Sequence, residues 1–418
     1  RAAARPGAPP VQGAPPGGGA VADPAGLGGL GRVAGHHGSP AHFLAELVEA
    51  FLAAGGDHHL SAVDDGGTRE GGADARGRSD DQDAAVGQGS GVGHSREHGT
   101  PRRGADPLRS RRPECESGHV EVSSPNKIMF PDDGLTKSDV VAHYGRVAGR
   151  MLEFCGGRPL TLQRFPRGIE AKGFMQKNAA DHFPDSIHRL PVPKRSGGET
   201  LYPVVDRAAD IVYLANQNTV TFHMWTSSAT LPGRPDWMVI DLDPEAGDLG
   251  GVRAATRLIG ELLDSFDVAG FPLATGSKGF HVWVQLDGAL GFDTVALTAR
   301  ALAGLATTEA PDEVTTEFLK KNRTGRVFVD WLRNGPVATV VVPYSLRPRS
   351  GAPVAVPLRW DELADALPDR WSLSDLDDRL DLDPGVAPQR LPVESIVNAA
   401  RSAGVDLDTP HDRFGRSD

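Results

Sequence analysis

The residues able to do chemistry gather around one short run, Met238-Val239-Ile240-Asp241-Leu242-Asp243-Pro244. Two carboxylates sit one residue apart at the end of an apolar strand. Successive strand residues point to opposite faces, so Asp241 and Asp243 share a face about 7 Å apart. Like charges side by side repel unless a cation sits between them, which makes a metal-dependent site the first expectation. A third carboxylate, Asp330, stands among Phe328, Val329 and Trp331. Left unpaired there it would be costly, so it needs a cation or several donors. The turn Gly276-Ser277-Lys278-Gly279 separates two apolar strands, and His281 lies on the strand leaving it. Its backbone N–H groups, hydroxyl and lysine suit a phosphate; a plain hairpin turn is the alternative. Arg347 and Arg349 follow another apolar strand. Guanidinium groups bond phosphate bidentately, so the pair suits a triphosphate.

These groups need elements to hold them. Helical spacing predicts helices over 252–266, over 294–306 and from Val140 to Leu152, the last capped by Thr136 or Ser138. Lys127 and Lys137 flank the turn before that helix and are read as a phosphate clamp or as two solvated surface lysines. Strands are expected at 160–165, 201–205, 211–215 and 339–342. His223 in Thr221-Phe222-His223-Met224-Trp225 lies on a strand, where a lone histidine is more often a satisfied core residue than a ligand. Residues 171–177, with Phe174, Met175 and Lys177, mix aromatic, basic and amide groups that suit stacking a base and holding its backbone, or an ordinary strand edge. Residues 319–326 form a basic cluster containing Arg323 that runs into the Asp330 strand. Residues 359–384 read as an acidic, mostly helical surface.

Composition divides the chain. Residues 1–118 hold 25 of the 51 glycines and contain no Lys, Ile, Asn, Tyr, Trp or Met. Such a segment cannot build an ordinary core, so it reads as disordered apart from a short helix at 42–53. The missing residue types are largely those with AT-rich codons, which suggests GC-rich DNA translated upstream of the real start. His36-His37 and His58-His59 reflect the same bias rather than a metal site. Residues 119–384 read as one catalytic domain, and 385–418 as a C-terminal tail with a short helix. The net charge of −11 sits outside the central region, where 26 basic residues balance 26 acidic ones between 119 and 360. Nucleic-acid contact therefore requires local basic patches. Cys115 and Cys155 give neither a disulfide framework nor metal spacing. No apolar run is long enough to span a bilayer, so a soluble cytoplasmic protein is expected.

Three strand carboxylates, a Ser/Lys/His turn and paired arginines together point to nucleotidyl transfer with two divalent metal ions. The sequence here resembles the polymerase domain of bacterial ligase D, in the archaeo-eukaryotic primase superfamily. The matching segments run in order from Asn126 to about Trp371: NKIMFP, LTKSD, GGRPLTLQRFPRG, TFHMW, VIDLDP, TGSKGFHVWV, GRVFVDW and PYSLRPR. The resemblance implies an α/β, primase-type core with a mostly antiparallel sheet flanked by helices. It implies that Asp241, Asp243 and Asp330 are catalytic and bind two Mn²⁺ or Mg²⁺ ions. Ser277, Lys278, His281, Arg347 and Arg349 would hold the nucleotide's phosphates, with Arg323 near the active site and His223 near the sugar. Lys127 and Lys137 would grip a DNA 5′-phosphate, and Phe174 and Lys177 would contact the template.

Gln163, Met175 and Thr221 depart from the family pattern at a lysine, a template-stacking aromatic and a glutamate. The implied activity is template-dependent addition of nucleotides, ribonucleotides preferred, to a DNA primer in gap filling and non-homologous end joining. The implied partners are DNA ends with a 5′-phosphate, nucleoside triphosphates, the Ku end-binding protein and a separate ATP-dependent ligase, since no K-x-D-G nucleophile motif is present. Two alternatives stand beside this reading: a primase that starts primers de novo, and a non-catalytic DNA-end binding module.

Overall fold

The computed structural model describes residues 121–409 other than 195–196 and 246. The helix expected at 42–53, both histidine pairs and the rest of 1–118 lie outside the described residues. The chain begins with a small antiparallel hairpin, β1 (Ile128–Phe130) and β2 (Leu135–Thr136). Thr136 then caps α1 (Lys137–Cys155). Its hydroxyl accepts the Asp139 N–H, and the Asp139 carboxylate accepts the Thr136 N–H in return. Val140, Val141, Tyr144, Val147, Ala148 and Met151 recur on one face of α1, and all are buried.

The remaining elements follow in order: β3 (Leu160–Arg164), β4 (Phe174–Gln176), β5 (His188–Pro193), β6 (Glu199–Val204), α2 (Ala208–Asn216), β7 (Thr219–Trp225), β8 (Trp237–Asp243), α3 (Leu249–Ser265), β9 (Phe271–Ala274), β10 (Phe280–Gln285), α4 (Phe292–Glu309), β11 (Val314–Thr315), α5 (Lys320–Arg323), β12 (Val327–Asp330), β13 (Thr339–Val341), β14 (Val356–Pro357) and α6 (Val393–Ser402). A six-stranded sheet has the order β11-β12-β8-β10-β9-β14, and a four-stranded sheet the order β13-β7-β3-β4. Every pairing in them is antiparallel except β11 with β12. β5 and β6 form a separate hairpin.

Helix α1 ties the two sheets together. Its Phe154 ring stacks on Trp237 of the larger sheet at 5.9 Å and meets Trp283 edge-on at 6.2 Å, while its Tyr144 packs on Phe222 of the smaller sheet at 4.8 Å. Helix α3 packs on β8 and β10, and α4 packs on β8. Strand alternation sends Ile240, Leu242, Val282 and Val284 to the opposite face from Asp241 and His281. The face carrying the carboxylates is thus apolar at one end, at Trp237 and Trp283, and polar at the other.

The α/β class and the helix-flanked antiparallel sheets match expectation, and three local readings are corrected. Residues 211–215 are not a strand but the middle of α2, where Ile211, Leu214 and Ala215 are buried one helical turn apart. A short apolar run has no period of its own, and its packing decided it. Residues 359–384 are not mostly helical. They are irregular chain with 3₁₀ turns at Trp360–Glu362 and Asp377–Arg379, pinned by buried Leu363, Trp371 and Leu376. Residues 385–409 are more than a tail: the short helix expected there forms as α6, docks on α4 and buries Ile396, Val397 and Ala400.

Candidate active site

The register of the larger sheet builds the site. Asp241 on β8 stands directly opposite Asp330 on β12 and opposite His281 on β10. These three therefore form one row across three strands, on one face. Asp243 shares that face one strand step along β8, opposite Phe328. Like charges directly opposite each other in a sheet are destabilising, so the row needs internal cations.

The structure supplies one that sequence reasoning missed. Arg333 places Nε 3.1 Å from Asp241 Oδ2 and 3.2 Å from Asp330 Oδ2, with Nη2 also 3.1 Å from Asp241 Oδ2. On the other side, His281 Nε2 lies 3.4 Å from Asp241 Oδ1. Burial alone would raise the Asp241 carboxyl, but His281 and Arg333 outweigh it and hold the group well below the usual carboxylate range. Asp243 moves the other way. The neighbouring Asp241 charge, then burial, then Asp330 push its carboxyl up against the opposing pull of Arg333 and Arg323. The sequence signal for Arg333 was an arginine three residues beyond a buried aspartate.

The turn beyond β9 comes to the same row. Arg349 donates to Ser277 Oγ at 2.8 Å, and Arg347 donates to the Thr275 carbonyl at 3.0 Å. Both arginines, distant in sequence, thus brace the turn that carries Ser277 and the exposed Lys278. Burial lowers the Arg347 guanidinium to about 10, with Asp241 and Asp243 opposing the shift. Two glycines make this geometry possible. Gly276 has φ +66, and a Cβ there would lie 2.8 Å from Arg347 Cγ. A Cβ on Gly279 would lie 1.9 Å from the Leu242 carbonyl oxygen, so only glycine lets β10 close on β8 between the two aspartates.

His223 comes from the other sheet, on β7. Burial, reinforced by Arg347, Arg333 and His281, pushes its imidazole down to about 3, so it is neutral at pH 7. Arg323, on α5, lies over the Phe328 ring at 3.9 Å and feels the charges of Asp243, Asp330 and Asp241. Every expected phosphate- or sugar-side residue except the DNA-end and template groups therefore clusters around the carboxylate row.

The residues expected at a DNA end and template lie near β1, α1, β3 and β4, where Lys127, Lys137 and Arg164 form a basic group. Lys127 Nζ donates to Asn218 Oδ1 at 2.7 Å and to the Pro166 carbonyl at 3.1 Å; Lys137 Nζ donates to Ser123 Oγ at 2.7 Å. Arg164 donates to the Gln217 carbonyl and the Gln176 side chain. All these acceptors are neutral. Burial, then the charges of Lys127 and Arg164, lower the Lys137 ammonium to about 8. Lys137 is buried, so the reading of two solvated surface lysines does not hold. On the edge strand β4, Phe174 is 47% exposed with the Arg164 guanidinium 5.6 Å from its ring. Lys177 is half-buried beside it.

Among the described residues, no three carboxylate, histidine or cysteine groups are drawn into a closed metal-ligand arrangement. Instead Arg333 ties Asp241 to Asp330. The donor set nevertheless fits divalent cations. It offers carboxylate oxygens on one face, crowded enough that one carboxyl is driven towards its protonated form, and hard cations with oxygen preference relieve that crowding.

Residues 136–387 match the family model described as LigD, primase-polymerase domain. The chain is 34% identical over 255 residues to the multifunctional non-homologous end joining DNA repair protein LigD of Mycobacterium tuberculosis, covering 59% of this chain and 34% of that protein. It is 32% identical over 284 residues to the multifunctional LigD of Pseudomonas aeruginosa, covering 67% and 34%. It is 31% identical over 251 residues to the bifunctional LigD of Bacillus subtilis, covering 59% and 40%. The chain spans about a third of the length of the first of these relatives. Among solved structures, the polymerase domain from Mycobacterium tuberculosis ligase D in complex with DNA is similar with a TM-score of 0.56 and 30% identity, covering 68% of this chain and 96% of that one.

Proposed function

Because this chain belongs to the LigD primase-polymerase domain family, nucleotidyltransferases of the polymerase/primase type, we propose that it extends DNA primers across gaps and at broken ends during non-homologous end joining. The observation that carries this reading is the cross-strand row of His281, Asp241 and Asp330, with Asp243 one step along, beside a turn braced by Arg347 and Arg349.

In the proposed reaction Asp241, Asp243 and Asp330 hold two Mn²⁺ or Mg²⁺ ions. When bound, the ions supply charge that stabilises the attacking 3′-hydroxyl oxygen and the departing pyrophosphate. Asp330 sits on the primer side. His281 fixes the rotamer of Asp241 through Nε2. Ser277, Lys278, Arg347 and Arg349 bind the triphosphate, and their bracing fixes its orientation before reaction. Neutral His223 is a hydrogen-bonding group for the sugar rather than another cation, which suits a preference for ribonucleotides with their 2′-hydroxyl. Arg323 adds positive charge over the reacting phosphates. Lys127 and Lys137 bind the downstream 5′-phosphate, and Phe174 and Lys177 meet the template. DNA is the proposed substrate, as the complex formed by the similar mycobacterial domain suggests. A Ku-type end-binding protein and an ATP-dependent ligase are the proposed partners. No described helix is long and apolar enough to cross a membrane; the proposed location is the cytoplasm, at the nucleoid.

The test is extension of a gapped, 5′-phosphorylated duplex with ribo- or deoxyribonucleotides and Mn²⁺ or Mg²⁺. Primer extension is expected, fastest with ribonucleotides and Mn²⁺, and Asp241→Asn should abolish it while DNA binding persists. Extension by Asp241→Asn at the wild-type rate would sink the assigned site. Binding without extension under every condition would favour the end-binding module, and synthesis without a primer would favour a primase.

A further inference from the structure

Arg333 has no part in the proposed reaction, yet its guanidinium contacts two of the three carboxylates. Its Nε lies 3.1 Å from Asp241 Oδ2 and 3.2 Å from Asp330 Oδ2. One guanidinium thus ties together two acids that strand register forces face to face. The same two carboxylates are among those that would hold a metal ion.

The backbone beneath Arg333 is held firmly. It follows β12 on a 3₁₀ turn, Leu332–Asn334. The Leu332 N–H donates to Asp330 Oδ1 at 2.9 Å. Fully buried Asn334 staples the turn to β8. Its Oδ1 accepts the Val239 N–H at 2.8 Å, and its Nδ2 donates to the Val239 carbonyl at 2.7 Å and the Trp331 carbonyl at 2.9 Å. The anchor is rigid, but the Arg333 side chain keeps 33% of its surface exposed, whereas those of Asp241 and Asp330 keep 10% and 4%. The Arg333 side chain thus lies nearer to solvent than the two carboxylates it bridges.

We propose that Arg333 is a positioning residue that serves as a built-in counter-cation: it holds Asp241 and Asp330 together before divalent ions bind and yields their oxygens when the ions arrive. This rests on the reading that these carboxylates bind metal. The guanidinium has two opposite effects. It stabilises the metal-free protein by neutralising the crowded acids, and it weakens metal binding by competing for the same atoms. The exchange favours the ions because a divalent charge satisfies all three carboxylates, including Asp243, which Arg333 does not bridge.

The two effects separate in one pair of measurements on the full chain, Mn²⁺ titration by calorimetry and thermal unfolding without metal. Arg333→Gln should unfold at a lower temperature without metal and bind Mn²⁺ more tightly, on the order of tenfold, the worth of one charge-assisted contact of about 1.5 kcal/mol. Arg333→Lys, which keeps the charge but cannot bridge, should fall between the two in both measurements, and decides the matter if the glutamine variant does not fold. A purely structural arginine would, on removal, lower both stability and Mn²⁺ affinity. Affinity unchanged or weakened in the variants, with wild type binding Mn²⁺, overturns the role given to Arg333 and leaves the metal site standing. If neither wild type nor variant binds Mn²⁺, the metal reading itself falls.

Discussion

Asp243 is the member of the carboxylate set that its neighbours do not neutralise directly, and two consequences follow at the level of single residues. Asp243→Asn should lose primer extension by about 10²-fold or more, the scale of several kcal/mol of lost charge stabilisation. The same change should raise the metal-free unfolding temperature, since it removes one of three crowded like charges. The pH dependence has a definite sign. The folded-state carboxyl is raised by Asp241, burial and Asp330, so folded protein keeps a proton that the unfolded chain releases above about pH 4. Its contribution to stability is therefore lost as pH rises towards the raised value, and thermal scans of Asp243→Asn should be flatter between pH 5 and pH 8 than those of wild type. Lys137 supplies a second pH signature. Its ammonium, lowered to about 8, loses charge as pH rises through that value. Preference for 5′-phosphorylated over 5′-hydroxyl duplex, read by fluorescence anisotropy, should therefore fall from pH 7 to pH 9, by at most about tenfold per pH unit. Lys137→Gln should show little preference at either pH.

At the scale of elements, the site depends on how closely β8, β10 and β12 approach. Gly279 lets β10 close on β8: a Cβ there would meet the Leu242 carbonyl oxygen, a backbone atom that cannot swing aside. Gly279→Ala should cost about 1–3 kcal/mol in urea unfolding, the usual penalty of overpacking. It should also depress extension more than that loss of stability explains, because the shift falls between Asp241 and Asp243 on one strand and His281 on the other. The turn after β12 works to the same end, with Asn334 fixing it to Val239 and so setting where Asp330 and Arg333 lie. Helix α1 is a spacer of a different kind, its aromatic residues filling the junction of the two sheets so that His223 from one lies within the field of His281 and Arg333 beside the other.

For the whole molecule, the C-terminal residues belong to the fold. Helix α6 covers α4, where Gly304 admits Val405 so closely that a Cβ would lie 2.3 Å from it. Arg300 of α4 holds the segment beyond through the Asp406, Leu407 and Thr409 carbonyls. Ending the chain at residue 391 would remove Ile396, Val397, Ala400 and Leu407 and uncover the α4 face they pack on. The expected loss is on the order of 4 kcal/mol from two large aliphatic side chains and their neighbours, read as a lower urea midpoint. Helix α4 supports β8, the strand of Asp241 and Asp243, so extension should weaken only where the truncated chain begins to unfold. The two basic regions, one at the turn beside the row and one at Lys127, Lys137 and Arg164, fit the balanced central charge. Under the proposed function, local patches rather than a positive surface overall would meet the DNA phosphates.

The sequence by itself determined the strand bearing Asp241 and Asp243, the third acid, the turn with Ser277, Lys278 and His281, the Thr136 cap and the amphipathic helices. Each is written in a local period or a local residue choice: alternation for strands, the 3.6-residue repeat for helices, glycine where a turn must be tight. The family could be read from ordered short motifs for the same reason. Tertiary structure decided what local pattern does not carry. It turned the apolar run 211–215 into a helix, left 359–384 irregular and docked the expected C-terminal helix α6 on α4, because burial against distant partners outweighs weak intrinsic preference. It also revealed Arg333. Nothing in the spacing of residues 327–334 says that β12 pairs with β8 in the register that sets Asp330 against Asp241. Only that register brings two acids together closely enough to need an arginine between them.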